Sequence, residues 1–135
     1  MSWWVSLEDK DGKPDCSYGD PGEDACPTPC YRPVEVDRFQ DGGTQPVGGT
    51  TEATLNITYN YSPFYYEFLD KDSGLSWLDG KTGVEALARL INAVDQLGTE
   101  RDANYWAATQ GNAGAALARL AAWAKQQPKA TFRVN

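Results

Sequence analysis

The sequence predicts an α+β domain: a small antiparallel sheet of about four strands, with about three helices packed on one face. Three observations predict it. The first half of the chain alternates apolar and polar residues with the two-residue period of half-buried strands. At Ser62-Pro63 the period changes, and two later segments carry apolar residues at helical spacing. A last alternating run, "ATFRV" at 130–134, follows Pro128. The expected order is β-β-β-α-α-α-β. At 135 residues the chain is long enough for one domain (1–135) with a core and too short for two.

Residues 3–9, "WWVSLED", read as the first strand. The second is "VEVDRF" at 34–39, where Val34 and Val36 alternate with Glu35 and Asp37. Between them, 10–33 is an inserted loop rich in cysteine and proline, with five of the eight prolines. "GGTQPVGGT" at 42–50 is punctuated by four glycines and Pro46 and reads as a turn or loop. The third strand is "EATLNITYNY" at 52–61. Leu55, Ile57, Tyr59 and Tyr61 share one face, and Asn56, Thr58 and Asn60 the other.

Serine is a good N-cap and proline suits the first helical position, so "PFYYEFL" at 63–69 reads as a short helix. The second helix spans 84–97, with Leu87, Leu90, Ile91, Val94 and Leu97 as its inward stripe and Gly98 as its stop. The third spans 113–127, with Leu117, Leu120, Ala121, Trp123 and Ala124 inward. Pro128 ends it. Its many alanines let it approach a neighbour closely.

Composition narrows the function. A hydrophobic fraction of 41% favours folding over disorder. The net charge of −7 argues against nucleic acid as partner, although Lys71, Lys81, Arg89, Arg101 and Arg119 would allow a local basic spot. No histidine is present, which removes the commonest general base and the commonest metal ligand together. No apolar run approaches the ~20 residues of a membrane helix. "MSWWVSLEDK" has no basic region or long apolar stretch of a signal peptide, so the expected location is the cytosol.

Four motifs bear on chemistry. "DGKTG" at 79–83 imitates a phosphate loop, but the required upstream glycine falls on Leu75. Thr82 with Glu85 three residues on is instead a capping box. "TQGNAGAAL" at 109–117 opens the third helix with small residues. Free N–H groups there suit a phosphate or carboxylate, Gly111, Asn112 and Gly114 admit a ligand to the backbone, and Tyr105 and Trp106 can stack on a ring. The plain alternative is Asn112 as a cap with tight helix packing. Cys16, Cys26 and Cys30 would need a fourth ligand from Asp15, Asp20, Glu23 or Asp24 to hold zinc. A disulfide or inert thiols are the alternatives, and no other cofactor is expected. Nucleophilic catalysis lacks a histidine or an elbow motif, and Glu67, Asp70 and Asp72 read as a solvated face. Asparagine is disfavoured in strands, so the Asn56–Thr58–Asn60 row hints at a hydrogen-bonding duty.

"GGTTEATLNITYNYSPFYYEFL", "WLDGKTG" and "DANYWAATQGNAGAALARLAAWAKQQPKATFRV" together resemble a family of small proteins encoded by tailed phages and prophages. The resemblance covers most of the chain and departs at the cysteine-bearing loop, 15–32. It implies a phage origin and brings no established activity or catalytic residues.

The leading expectation is a non-enzymatic phage accessory protein that binds a small anionic, nucleotide-type ligand and so sequesters a host immune signal. Its pocket would join Gly111, Asn112, Ala113 and Gly114 to Tyr105, Trp106, Lys81 and the Asn56, Thr58, Asn60 row. The alternative is a protein-binding module, an inhibitor of a host protein or a structural accessory, using Trp3, Trp4, Trp77 and Tyr65. A carboxylate hydrolase is the third reading. An unpaired sheet edge would permit a homo-oligomer.

Overall fold

The computed structural model describes residues 2–9, 32–39, 50–104 and 106–135. Its strands are β1 (Ser2–Asp9), β2 (Arg32–Pro33), β3 (Glu35–Phe39), β4 (Thr50–Glu52), β5 (Thr54–Thr58) and β6 (Thr131–Val134). Its α-helices are α1 (Ser62–Phe68), α2 (Gly83–Leu97) and α3 (Gln110–Gln126). The class is α+β as the patterns predict. The cysteine-rich loop lies outside the described residues except for Arg32–Pro33, and Cys16, Cys26 and Cys30 lie outside with it.

β1 is the central strand. β5 pairs antiparallel with it on one edge, with Trp3 opposite Ile57 and Val5 opposite Leu55. β6 pairs antiparallel on the other, with Val5 opposite Val134 and Leu7 opposite Phe132. β2 continues the ladder beyond β5, with Glu8 opposite Pro33. At the seam three backbones close a ring. The Leu7 N–H donates to Ala53 O (3.0 Å), Val34 N–H to Leu7 O (2.8 Å) and Ala53 N–H to Val34 O (3.1 Å). Beyond it β3 and β4 form a separate two-stranded arm. The period of two puts Val5, Leu7, Leu55, Ile57 and Phe132 into the core, all fully buried.

The expected third strand is shorter than its alternation suggests. It breaks at Ala53 and ends at Thr58. The Thr58 hydroxyl accepts the Asn60 N–H (3.2 Å) and caps a 3-10 turn over Tyr59–Tyr61 that runs straight into α1. Threonine and asparagine offer the backbone local partners in place of ladder bonds, so the tract leaves the sheet three residues before its pattern ends.

α2 and α3 form an antiparallel hairpin. The start of α2 meets the exit of α3 through Gly83 N–H to Ala130 O (2.8 Å) and Val84 N–H to Pro128 O (2.9 Å). α3 is the more enclosed helix, with Leu117, Leu120 and Trp123 fully buried. Its last residues reach the arm: Gln126 Oε1 accepts the Asp37 N–H and Gln127 donates to Glu35 O. In α2 the buried face is Ala86, Leu90, Ala93 and Leu97, rotated from the expected stripe. Leu87 and Val94 only edge the core, and Ile91 is 37% exposed. Close helix approach selects small residues at the contact and displaces larger ones to its rim.

Candidate functional site

The "TQGNAG" segment is the candidate anion site at a helix start. Thr109 caps α3, its hydroxyl accepting the Asn112 N–H (3.1 Å). Asn112 is buried at 2% exposure, and its side chain is committed to the preceding loop. Oδ1 accepts the Asp102 N–H (2.9 Å), and Nδ2 donates to Asn104 O (3.1 Å) and Ala107 O (3.0 Å). Two further local bonds tighten that loop: Asn104 N–H to Asp102 Oδ1 (2.8 Å) and Trp106 N–H to Asn104 Oδ1 (3.1 Å). The two glycines serve packing rather than a ligand. A Cβ on Gly111 would stand 1.8 Å from Glu100 O, and one on Gly114 1.7 Å from Gly98 O. The backbone of 98–100 occupies the space a ligand would need.

The other predicted residues are dispersed. Lys81 sits at the opposite end of the helix hairpin, its Nζ 5.5 Å from the Trp77 ring centre. Asn56 and Thr58 are buried, Asn56 donating to Ser2 Oγ (2.8 Å) and Thr58 capping the 3-10 turn. Asn60 has left the sheet, so no row of three exists. Asn60 alone meets the loop, donating from Nδ2 to Trp106 O (2.8 Å). Tyr105 lies outside the described residues.

The aromatics divide sharply. Tyr61 and Tyr65 are core residues stacked edge to face at 6.2 Å, and the Tyr65 hydroxyl donates to Ala113 O (3.1 Å). Burial pushes the Tyr61 phenol up to about 12, slightly offset by Arg101. Burial raises Tyr65 well above its usual value too, with the neighbouring Tyr61 adding to it. Trp77 is clamped, with the Arg89 guanidinium 4.2 Å from its ring centre and Asp70 holding Arg89 at 3.2 Å.

Among the described residues the exposed aromatics are Trp4, Tyr59, Tyr66 and Trp106, of which Tyr59 and Trp106 lie at one end of the sheet. Trp3 packs on Tyr59 at 4.6 Å, ring to ring, and Tyr59 leads into Asn60 and so to the Trp106 backbone. Trp106 is 42% exposed and Tyr59 is also exposed. Trp4, on the other face of β1, is 48% exposed opposite Asn56. Tyr59 was missed as a surface residue because strand alternation assigned it to the core. The signal for the turn was Thr58 two residues before Asn60.

Fold and surface define a small α+β domain with exposed aromatics on its sheet and on the loop before α3. No family model, curated protein or solved structure matches the chain.

Proposed function

We propose that the protein is a non-enzymatic phage accessory module that binds a host protein in the cytosol through the Trp3–Tyr59–Trp106 edge. The supporting observation is that exposed aromatics stand on a backbone that hydrogen bonds hold in place, Asn60 to Trp106 O and Asn112 beneath the loop. Tryptophan and tyrosine give large contact area at low entropic cost, and such residues dominate interface energetics. The phage setting rests on the sequence resemblance.

The small-anion reading is the weaker one, because the groups it needs are engaged elsewhere or far apart. Asn112, Gly111, Gly114, Asn56 and Thr58 serve internal contacts, and Lys81 is at the far end of the hairpin.

The test is an alanine scan of the complex formed in the host. Trp106→Ala and Tyr59→Ala are each expected to weaken binding roughly 30-fold, as interface anchors do. Tyr66→Ala, an exposed aromatic packed beside Gly74, should leave binding intact. Equal tolerance of all three would sink the proposal. A small-molecule mass released on denaturation in native mass spectrometry would return the ligand reading.

A further inference from the structure

We propose that the outer face of the α2–α3 hairpin is a homodimer interface, occupied by a second copy of this chain. It is separate from the aromatic edge. A shallow groove of about 300 Å³ runs between the two helices, lined by Ile91, Val94, Asp95, Ala118, Ala122 and Lys125. Its floor is small and apolar, and its rim carries the aliphatic side chains that α2 does not bury. Val84, Leu87, Ile91 and Val94 follow a 3-4-3 spacing, the seam along which one helix receives another. Val84 and Ile91 are exposed, and Leu87 and Val94 only half-buried. The chain's own packing therefore uses one side of a wider apolar stripe.

Charge selects the occupant. The hairpin register sets Asp95 level with about residue 116 of α3, so Lys125 lies roughly nine residues further along, about 13 Å away. Neither side chain forms an ion pair among the described residues. One end of the groove is thus negative and the other positive. A two-fold axis lying in the contact plane, at right angles to the Asp95–Lys125 line, sets each Asp95 over the partner's Lys125. Both pairs form at once, as an isologous contact requires. The self-complementarity is local and works against the repulsion of two chains of charge −7, which physiological salt screens beyond about 8 Å. A contact over one helix pair falls short of the roughly 800 Å² per partner of a standard interface, so the dimer is a weak one.

Sedimentation velocity of the full chain, from micromolar to submillimolar concentration at physiological salt, tests this. Wild type is expected to pass from monomer to dimer. Asp95→Lys and Lys125→Glu singly should each weaken the dimer about tenfold, since each breaks two symmetric ion pairs. The double variant should recover wild-type association. Ile91→Arg should abolish it. All three positions line the open groove, and circular dichroism checks that each variant folds. A wild type that stays monomeric throughout would overturn the proposal. So would a dimer indifferent to Ile91→Arg, or a double variant as weak as the singles. A monomeric wild type whose groove receives a different protein would overturn the assignment to a second copy.

Discussion

The two ends of the α2–α3 hairpin are closed by different means. At the α2 start, Thr82 and Glu85 form a capping box within four residues: Glu85 N–H to Thr82 Oγ1 (3.3 Å) and Thr82 N–H to Glu85 Oε1 (3.0 Å). Its side-chain bonds are exposed and local, although the α2 backbone beside it also donates to Ala130 O and Pro128 O. At the α3 start, one buried asparagine gathers backbone from positions 102, 104 and 107, and two glycines press against 98–100. The first end is a local device on the surface. The second is a joint on which the loop and its tryptophan depend. Similar residue types, small and polar, serve both, and burial makes the difference in worth.

Four measurements break or sharpen this contrast. Gly114→Ala should have the largest effect, about 4 kcal/mol or outright failure to fold, because its Cβ would lie 1.7 Å from Gly98 O. Soluble yield and the urea midpoint read it. Asn112→Ala should cost about 2 kcal/mol in urea unfolding, since it removes a buried side chain that bonds one N–H and two carbonyls of the loop. A loss no greater than that at Thr82 would dissolve the contrast.

The third measurement uses pH. Tyr61 and Tyr65 flank the α3 end, and both phenols are raised by burial. Their folded forms keep protons that the unfolded chain loses above pH 10. Stability is therefore full below that pH and falls as pH rises, for Tyr61 by about 1.4 kcal/mol per pH unit through the range to about 12, and Tyr65 acts in the same direction. Tyr61→Phe should flatten an alkaline unfolding profile. The other end responds at the opposite extreme. The Thr82 N–H and hydroxyl hold the Glu85 carboxyl below its usual value, so its contribution is present above the unfolded value and lost as pH falls through the folded one. Glu85→Gln should remove part of the acid sensitivity. Thr82→Ala is the smallest effect, about 1 kcal/mol of lost cap, read by thermal melting.

Legibility followed the same division. The capping box was readable because its evidence is a three-residue spacing, and it disposed of the phosphate-loop reading of "DGKTG" correctly. Helix limits were readable within a few residues for α2 and α3, because Gly98 and Pro128 mark stops that no tertiary contact overrides. The site was not readable. "GNAG" at a helix start describes a cradle for an anion and a socket for a neighbouring loop equally well. Only the position of residues 98–104, set by folding, tells them apart. The rotation of α2 was hidden for a related reason: Ala86 and Ala93 outcompete Leu87 and Ile91 for the interior once α3 approaches. Asn56 and Thr58 misled because an alternating polar row says nothing about what covers it.

β1 has one further consequence, for synthesis. It is the strand to which everything in the sheet attaches, yet its partners are made long after it, β5 some 50 residues later and β6 roughly 125. At translation rates of roughly 5–20 residues per second, Trp3, Trp4 and Val5 wait about 6–25 seconds for the second neighbour. During that interval an apolar strand with its β6 edge open is present on the nascent chain. The sheet is completed only when β6 docks, after every other element of the domain has been made.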